Sequence, residues 1–238
     1  IRFQLGLRLQ FDDGWHGYWL NPGDSGMAPM VDWEWPEGLE PEAGGLVFPA
    51  PETFVDGDLV SFGYANEVLL LQPVRVVGNF APGDVLEIKG RADWLICRDL
   101  CLPVSADLHI ALPVGAAGSA QPGPHAGLFT ATRTRLPVTG HAWELEARAG
   151  RREITLCVQA PAEGPAVAAD RMRFYPLQLN LVAYGDQGWR KRGARHCTSL
   201  RRFASGALLP ERLQGVLVAH FEEGAAPAVL AVDVPLRR

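Results

Sequence analysis

Cys97 and Cys101 stand four residues apart, between two runs that alternate as β-strands do. That placement restricts the local fold sharply. If residues 97–101 were extended, their Cα atoms would lie roughly 13 Å apart. A disulfide needs about 4.4–6.8 Å. Pairing therefore requires a tight bend, and a hairpin tip is the natural place. A ring this small removes little loop-closure entropy, which makes it a weak staple and a plausible switch. Arg98 beside Cys97 favours a thiolate and Asp99 opposes it. From spacing alone, a redox pair stands level with a structural hairpin disulfide or two inert thiols. Half a metal site is a third reading, but no second closely spaced Cys or His pair completes four ligands.

The flanking pattern points to an all-β chain. Phe3, Leu5, Leu7 and Leu9 alternate with Arg2, Gln4, Gly6 and Arg8 from the start. The chain carries 26 Gly and 19 Pro in 238 residues, which suits short strands joined by turns. Strands are predicted over 2–11, 15–20, 68–77, 85–96 and 104–112. The Pro/Gly-rich stretch 115–125 reads as a linker. It divides the chain into 1–114 and 126–238, each near the size of an immunoglobulin-like sandwich. A short helix over 126–135 is expected to open the second half. Strands should follow near 142–148, 152–159, 174–184, 197–203, 213–221 and 228–234. In 153–158, Ile154, Leu156 and Val158 share one face and Cys157 falls on the other.

No apolar run approaches the roughly 20 residues that cross a bilayer. No charged, apolar leader opens the chain, so the expectation is a mature or excised soluble portion. Charge is uneven. Residues 1–114 hold 6 basic and 17 acidic side chains, and residues 151–238 hold 13 and 8. The basic cluster Arg190, Lys191, Arg192, Arg195, Arg201 and Arg202 reads first as a solvated loop and second as a docking surface. Nucleic-acid binding is disfavoured by the acidic total and the lack of a recognised motif.

The wider sequence resembles the N-terminal periplasmic domain of the DsbD family, in the branch that includes ScsB. The resemblance rests on Gly14-Trp15-His16-Gly17-Tyr18-Trp19-Leu20-Asn21-Pro22-Gly23-Asp24-Ser25-Gly26, on Phe48-Pro49-Ala50-Pro51, and on Phe62-Gly63-Tyr64-Ala65-Asn66-Glu67-Val68-Leu69-Leu70. It includes Ala92-Asp93-Trp94-Leu95-Ile96-Cys97-Arg98-Asp99-Leu100-Cys101-Leu102-Pro103 and covers 1–114 in order. Phe174-Tyr175-Pro176 and residues 209–217 fit the continuation in larger members more loosely.

The resemblance implies an immunoglobulin-like domain over 1–114, in the bacterial periplasm. With the size and strand pattern of the second half, the expectation is two immunoglobulin-like β-sandwich domains in tandem, with 126–238 supporting or docking a partner. It implies a protein-disulfide reductase fed by a membrane-embedded domain of the same full-length protein. The partners would be thioredoxin-like periplasmic proteins of the disulfide isomerase type. Cys97 and Cys101 become the redox pair, with Cys101 as attacking nucleophile and Cys97 as resolving thiol. The three-residue gap is shorter than in the best-known member. Phe54, in 51–57, is the candidate for the aromatic cap that shields the family's disulfide, and an ordinary packed loop residue is its plain alternative. No cofactor or metal is expected, since no Gly-rich nucleotide fingerprint or complete ligand set is present.

Three other groups complete the reading. His16 is expected to steady an aromatic strand rather than bind copper. Trp15, Trp19, Trp33, Trp35 and Trp94 are expected in core and loop packing. Cys157 and Cys197 are expected as a structural disulfide in an oxidising compartment. The competing function is a non-enzymatic immunoglobulin-like binding module, for copper tolerance or as a scaffold, with Cys97–Cys101 as a staple.

Overall fold

The computed structural model describes residues 1–203 and 208–238. These divide into two compact units, Ile1–Thr53 with Phe62–Leu136, and Phe54–Ser61 with Pro137–Arg238. Among the described residues the architecture is all-β with one short helix.

The first part of the chain runs through β1 (Arg2–Gln10), β2 (His16–Gly23), β3 (Met30–Glu34), β4 (Leu39–Pro41), β5 (Glu52–Asp56), β6 (Leu59–Ala65), β7 (Glu67–Val76), β8 (Val85–Cys97), β9 (Cys101–Pro113) and α1 (Ala126–Arg133). One sheet has the order β1-β7-β4 and a second β3-β8-β2-β6-β5, with β9 paired to β8. In β1 the alternation of the sequence becomes an alternation of burial, with Leu5, Leu7 and Leu9 inside. β7 is central and reads differently: Val68, Leu69, Leu70 and Leu71 are all buried. A continuous apolar run is what a strand covered on both faces requires. Each such aliphatic side chain contributes about 1.5–3 kcal/mol.

Helix α1 sits where residues 126–135 predicted it, but it packs within the first unit. Phe129 lies over the bare Cα of Gly6, and Arg133 donates two hydrogen bonds to Gln4 Oε1, at 2.7 and 3.1 Å. The break between compact units thus follows Leu136, whereas the Pro/Gly-rich stretch 115–125 lies inside the first unit. Composition marks that stretch as loop-forming, and the long-range packing of α1 decides which unit holds it.

The second part contains β10 (Glu144–Ala149), β11 (Glu153–Gln159), β12 (Val167–Pro176), β13 (Arg190–Arg192), β14 (Arg195–Arg201), β15 (Arg212–Phe221) and β16 (Ala228–Arg237). Their order is β12-β15-β16-β10-β11-β14-β13. A short parallel join, Ala147↔Leu236 and Arg148↔Arg237, links the two arms of this sheet. Ile154, Leu156, Val158 and Leu200 from one arm share a core with Phe174, Leu213, Leu217 and Leu230 from the other. The arms therefore face each other as a sandwich does. The strand expected over 174–184 ends at Pro176 and begins at Val167 instead. Of the basic cluster expected as a loop, Arg190, Lys191, Arg192, Arg195 and Arg201 lie on the β13–β14 hairpin, and Arg202 follows it.

Candidate functional site

β8 and β9 form an unbroken antiparallel ladder from Val85↔Pro113 to Cys97↔Cys101. Arg98, Asp99 and Leu100 make the turn, and Arg98 N–H donates to Leu100 O at 3.2 Å. Cys97 and Cys101 close this hairpin as a disulfide, with Cα atoms 4.2 Å apart. The register brings them together directly, because the two residues that flank a hairpin loop are cross-strand partners.

The two sulfurs differ in access. Cys97 is 4 % exposed, while Cys101 lies on the exposed side of the turn with Leu100 and Leu102, themselves 57 % and 42 % exposed. Tyr18 reaches Cys101 from β2, its hydroxyl 3.6 Å from Sγ. A disulfide sulfur carries no hydrogen, so the tyrosine donates. Burial raises the Tyr18 pKa above its usual value, against a smaller lowering by a hydrogen bond to Ser25, so the phenol keeps the proton it donates.

β2 is held in place by close backbone contacts. A Cβ on Gly63 of β6 would stand 1.8 Å from Gly17 O, and one on Gly26 would stand 2.2 Å from the Tyr18 ring. No side chain fits at either position, so glycine lets β6 press on β2 and lets the Tyr18 ring fill the space beside Gly26. The motifs 14–26 and 62–70 thus meet in space. Tyr64 ties in the third motif by donating to Pro49 O at 2.7 Å. Burial is the main cause pushing the Tyr64 pKa well above its usual value.

His16 is the cross-strand partner of Cys97 and meets Tyr18 edge-on, ring centroids 5.3 Å apart. Trp19 is buried, and Trp33 and Trp35 pack on the core around Leu5, Leu39, Val74 and Ile88. Arg98 lies 5.2 Å above the Trp15 ring and pairs with Asp99 at 3.0 Å. Its charge is thus partly balanced by its neighbour, in solvent where such pairs act weakly. Phe54 is half-buried on β5, in the segment grouped with the second compact unit.

Cys157 and Cys197 are disulfide-bonded across β11 and β14, with Cα atoms 4.1 Å apart. Tyr18 was not singled out by sequence reasoning as a neighbour of the cysteines. The aromatic-rich motif around it was the available signal, but only the strand register shows which aromatic meets Cys101. Among the described residues, no helix is long and apolar enough to cross a membrane.

A search of curated proteins gives no match. Among solved structures, the crystal structure of the N-terminal periplasmic domain of ScsB from Proteus mirabilis is similar, with a TM-score of 0.72 at 16% identity. The similarity covers 100% of this chain and 88% of that one. At that identity the likeness speaks for the fold. Residues 2–113 match the family model described as "Thiol:disulfide interchange protein DsbD, N-terminal". The β-sandwich that carries Cys97–Cys101 belongs, through residues 2–113, to the family of DsbD N-terminal thiol:disulfide interchange domains.

Proposed function

We propose that this chain is a periplasmic protein-disulfide reductase module with Cys97 and Cys101 as its redox pair. The observation that carries the reading is the unequal access of the two sulfurs, Cys101 exposed and Cys97 4 % exposed, at a turn inside an interchange domain. In the reduced state the Cys101 thiolate attacks one sulfur of a partner disulfide. A mixed disulfide forms and the partner's other sulfur leaves as thiolate. Cys97 then attacks Cys101 Sγ, which restores the Cys97–Cys101 bond and releases the partner as a dithiol. One electron pair has moved to the partner. A membrane-embedded part of the same full-length protein returns it.

Three features support this assignment. The Tyr18 hydroxyl is placed to donate to the Cys101 thiolate that attacks. Leu100 and Leu102 give the exposed sulfur an apolar margin suited to a thioredoxin-like partner of the disulfide isomerase type. The ring spans a sequence separation of only 4, so opening it removes little of the constraint on the chain.

The test is a trap. Cys97→Ser should accumulate a mixed disulfide through Cys101 with a thioredoxin-like periplasmic protein, and Cys101→Ser should not. A Cys97–Cys101 bond that withstands mild dithiol, together with no trapped partner, would reverse the reading in favour of a binding module with a structural staple.

A further inference from the structure

The second disulfide has surroundings that a buried staple does not need. On β11, Ile154, Leu156 and Val158 point into the core, which puts Cys157 on the outer face of the sheet. Register carries one row of that face across four strands: Glu146 opposite Cys157, Cys157 opposite Cys197, and Cys197 opposite Arg190. Cross-strand partners share a face, so the disulfide lies between a carboxylate and a guanidinium.

The carboxylate is already neutralised. Arg148 and Arg195 each approach Glu146 to 2.9 Å, and Arg237 to 3.6 Å. On the other side a cavity of about 270 Å3 is lined by Cys197, Arg190, Arg192, Thr155, Thr198 and Ser199, with Gly188. The cavity is polar, cationic and open to Cys197, yet Cys197 is only 6 % exposed. A folded partner cannot bring a cysteine side chain to so recessed a sulfur as readily as a small molecule can. A small thiol with a carboxylate arm fits both the size and the sign of the charge.

We propose that Cys157–Cys197 is a second exchange site, open to small anionic thiols guided by Arg190 and Arg192. A thiolate RS⁻ enters the cavity and attacks Cys197 Sγ. The Cys157–Cys197 bond breaks, an RS–Cys197 bond forms, and Cys157 leaves as thiolate and takes a proton from water. A second RS⁻ attacks the sulfur of the attached RS. RSSR departs and Cys197 is freed as thiolate opposite Arg190, whose charge favours it. Two thiols have given one electron pair to one disulfide.

The experiment uses the full chain with Cys97→Ala and Cys101→Ala, so that the first pair supplies no electrons and the outcome is independent of its role. Reduction of Cys157–Cys197 is followed by alkylation and mass spectrometry, with reduced glutathione, β-mercaptoethanol and cysteamine at equal thiolate concentration. The expected order is glutathione fastest and cationic cysteamine slowest, about tenfold apart at low ionic strength. The spread should shrink in 0.5 M salt and in Arg190→Gln/Arg192→Gln, because both remove the guiding charge. Arg190→Lys/Arg192→Lys should keep it, which separates charge from packing. An absent charge order, an order indifferent to the arginines, or reduction only where denaturant unfolds the second unit would each overturn the proposal.

Discussion

The Tyr18 hydroxyl lies 3.6 Å from Cys101 Sγ across 83 residues of sequence. Nothing local dictates that approach. It follows from β2 lying next to β8, with His16 opposite Cys97 and Tyr18 two residues on along the same face of β2, from which its long side chain reaches back to Cys101.

Tyr18→Phe removes the donor and keeps the ring. A hydrogen bond to a charged acceptor contributes about 1.5–3 kcal/mol. Its loss lowers the Cys101 thiolate fraction, and the higher pKa returns roughly half of that as nucleophilicity, so attack on a model disulfide at neutral pH should slow by about three- to tenfold. Thermal stability of the oxidised protein should change little, by about 1 kcal/mol, since a neutral sulfur is a weak acceptor. Stopped-flow exchange and calorimetry on the same variant separate the two effects. An unchanged exchange rate would remove Tyr18 from the chemistry.

The two disulfides should differ in what they hold. Their sequence separations are 4 and 40. Loop-closure entropy then gives about 2 kcal/mol for the first and about 4 kcal/mol for the second. Urea unfolding of Cys97→Ala/Cys101→Ala and of Cys157→Ala/Cys197→Ala should show that ranking, with the second pair costing its unit more.

Gly63→Ala should be severe. The added methyl meets Gly17 O at 1.8 Å, and backbone cannot rotate away as a side chain can. A loss of about 3 kcal/mol or more is expected, near the top of the overpacking range. Gly57→Ala is the control: its φ is +57° but nothing lies within 4 Å, so only the left-handed backbone cost of about 1–2 kcal/mol applies. Chemical denaturation of both variants checks the contrast.

The second unit should weaken in mild acid. His196 faces inward from β14, opposite Val158, and is 7 % exposed. Burial first, and then Lys191, lowers its pKa below the usual histidine value, against a smaller opposite effect of Glu222. The folded protein thus binds fewer protons than the unfolded chain between the lowered value and about pH 6.5. Stability should rise with pH through that window, and be lost as pH falls through the folded pKa. Urea midpoints of the second unit from pH 8 to pH 5 should show the fall, and His196→Gln should flatten it.

Much of this fold was legible wherever the residue pattern matched a half-buried strand. Phe3, Leu5, Leu7 and Leu9 marked β1 to within a residue of its observed end, and 153–159 placed Cys157 on the outer face. β3 to β6 were not assigned. Their stretch is interrupted by Pro and Gly, and Phe62, Gly63 and Tyr64 are buried in succession rather than alternately. Alternation fails wherever a strand is covered on both sides, because both faces then select apolar or small residues. The Cys97–Cys101 bend was readable from spacing. Tyr18 as its neighbour was not, because pairing between distant strands leaves no local trace. The extent of β12 was obscured by a register shift between Val167 and Met172, which breaks the period that marks a strand.

β9 buries none of its side chains fully, yet each of its residues from Cys101 to Pro113 has a ladder partner on β8. Its attachment is therefore largely main-chain, with Leu112 packed on the core and Asp107 and His109 paired to Arg91 and Glu87 of β8, and the sulfur–sulfur bond is one rung added at the closed end of that ladder. Removing this rung leaves the rails aligned and the two thiols side by side. On the proposed function, opening and closing this bond would need little movement beyond rotation about two Cα–Cβ bonds, so the redox step would not require refolding.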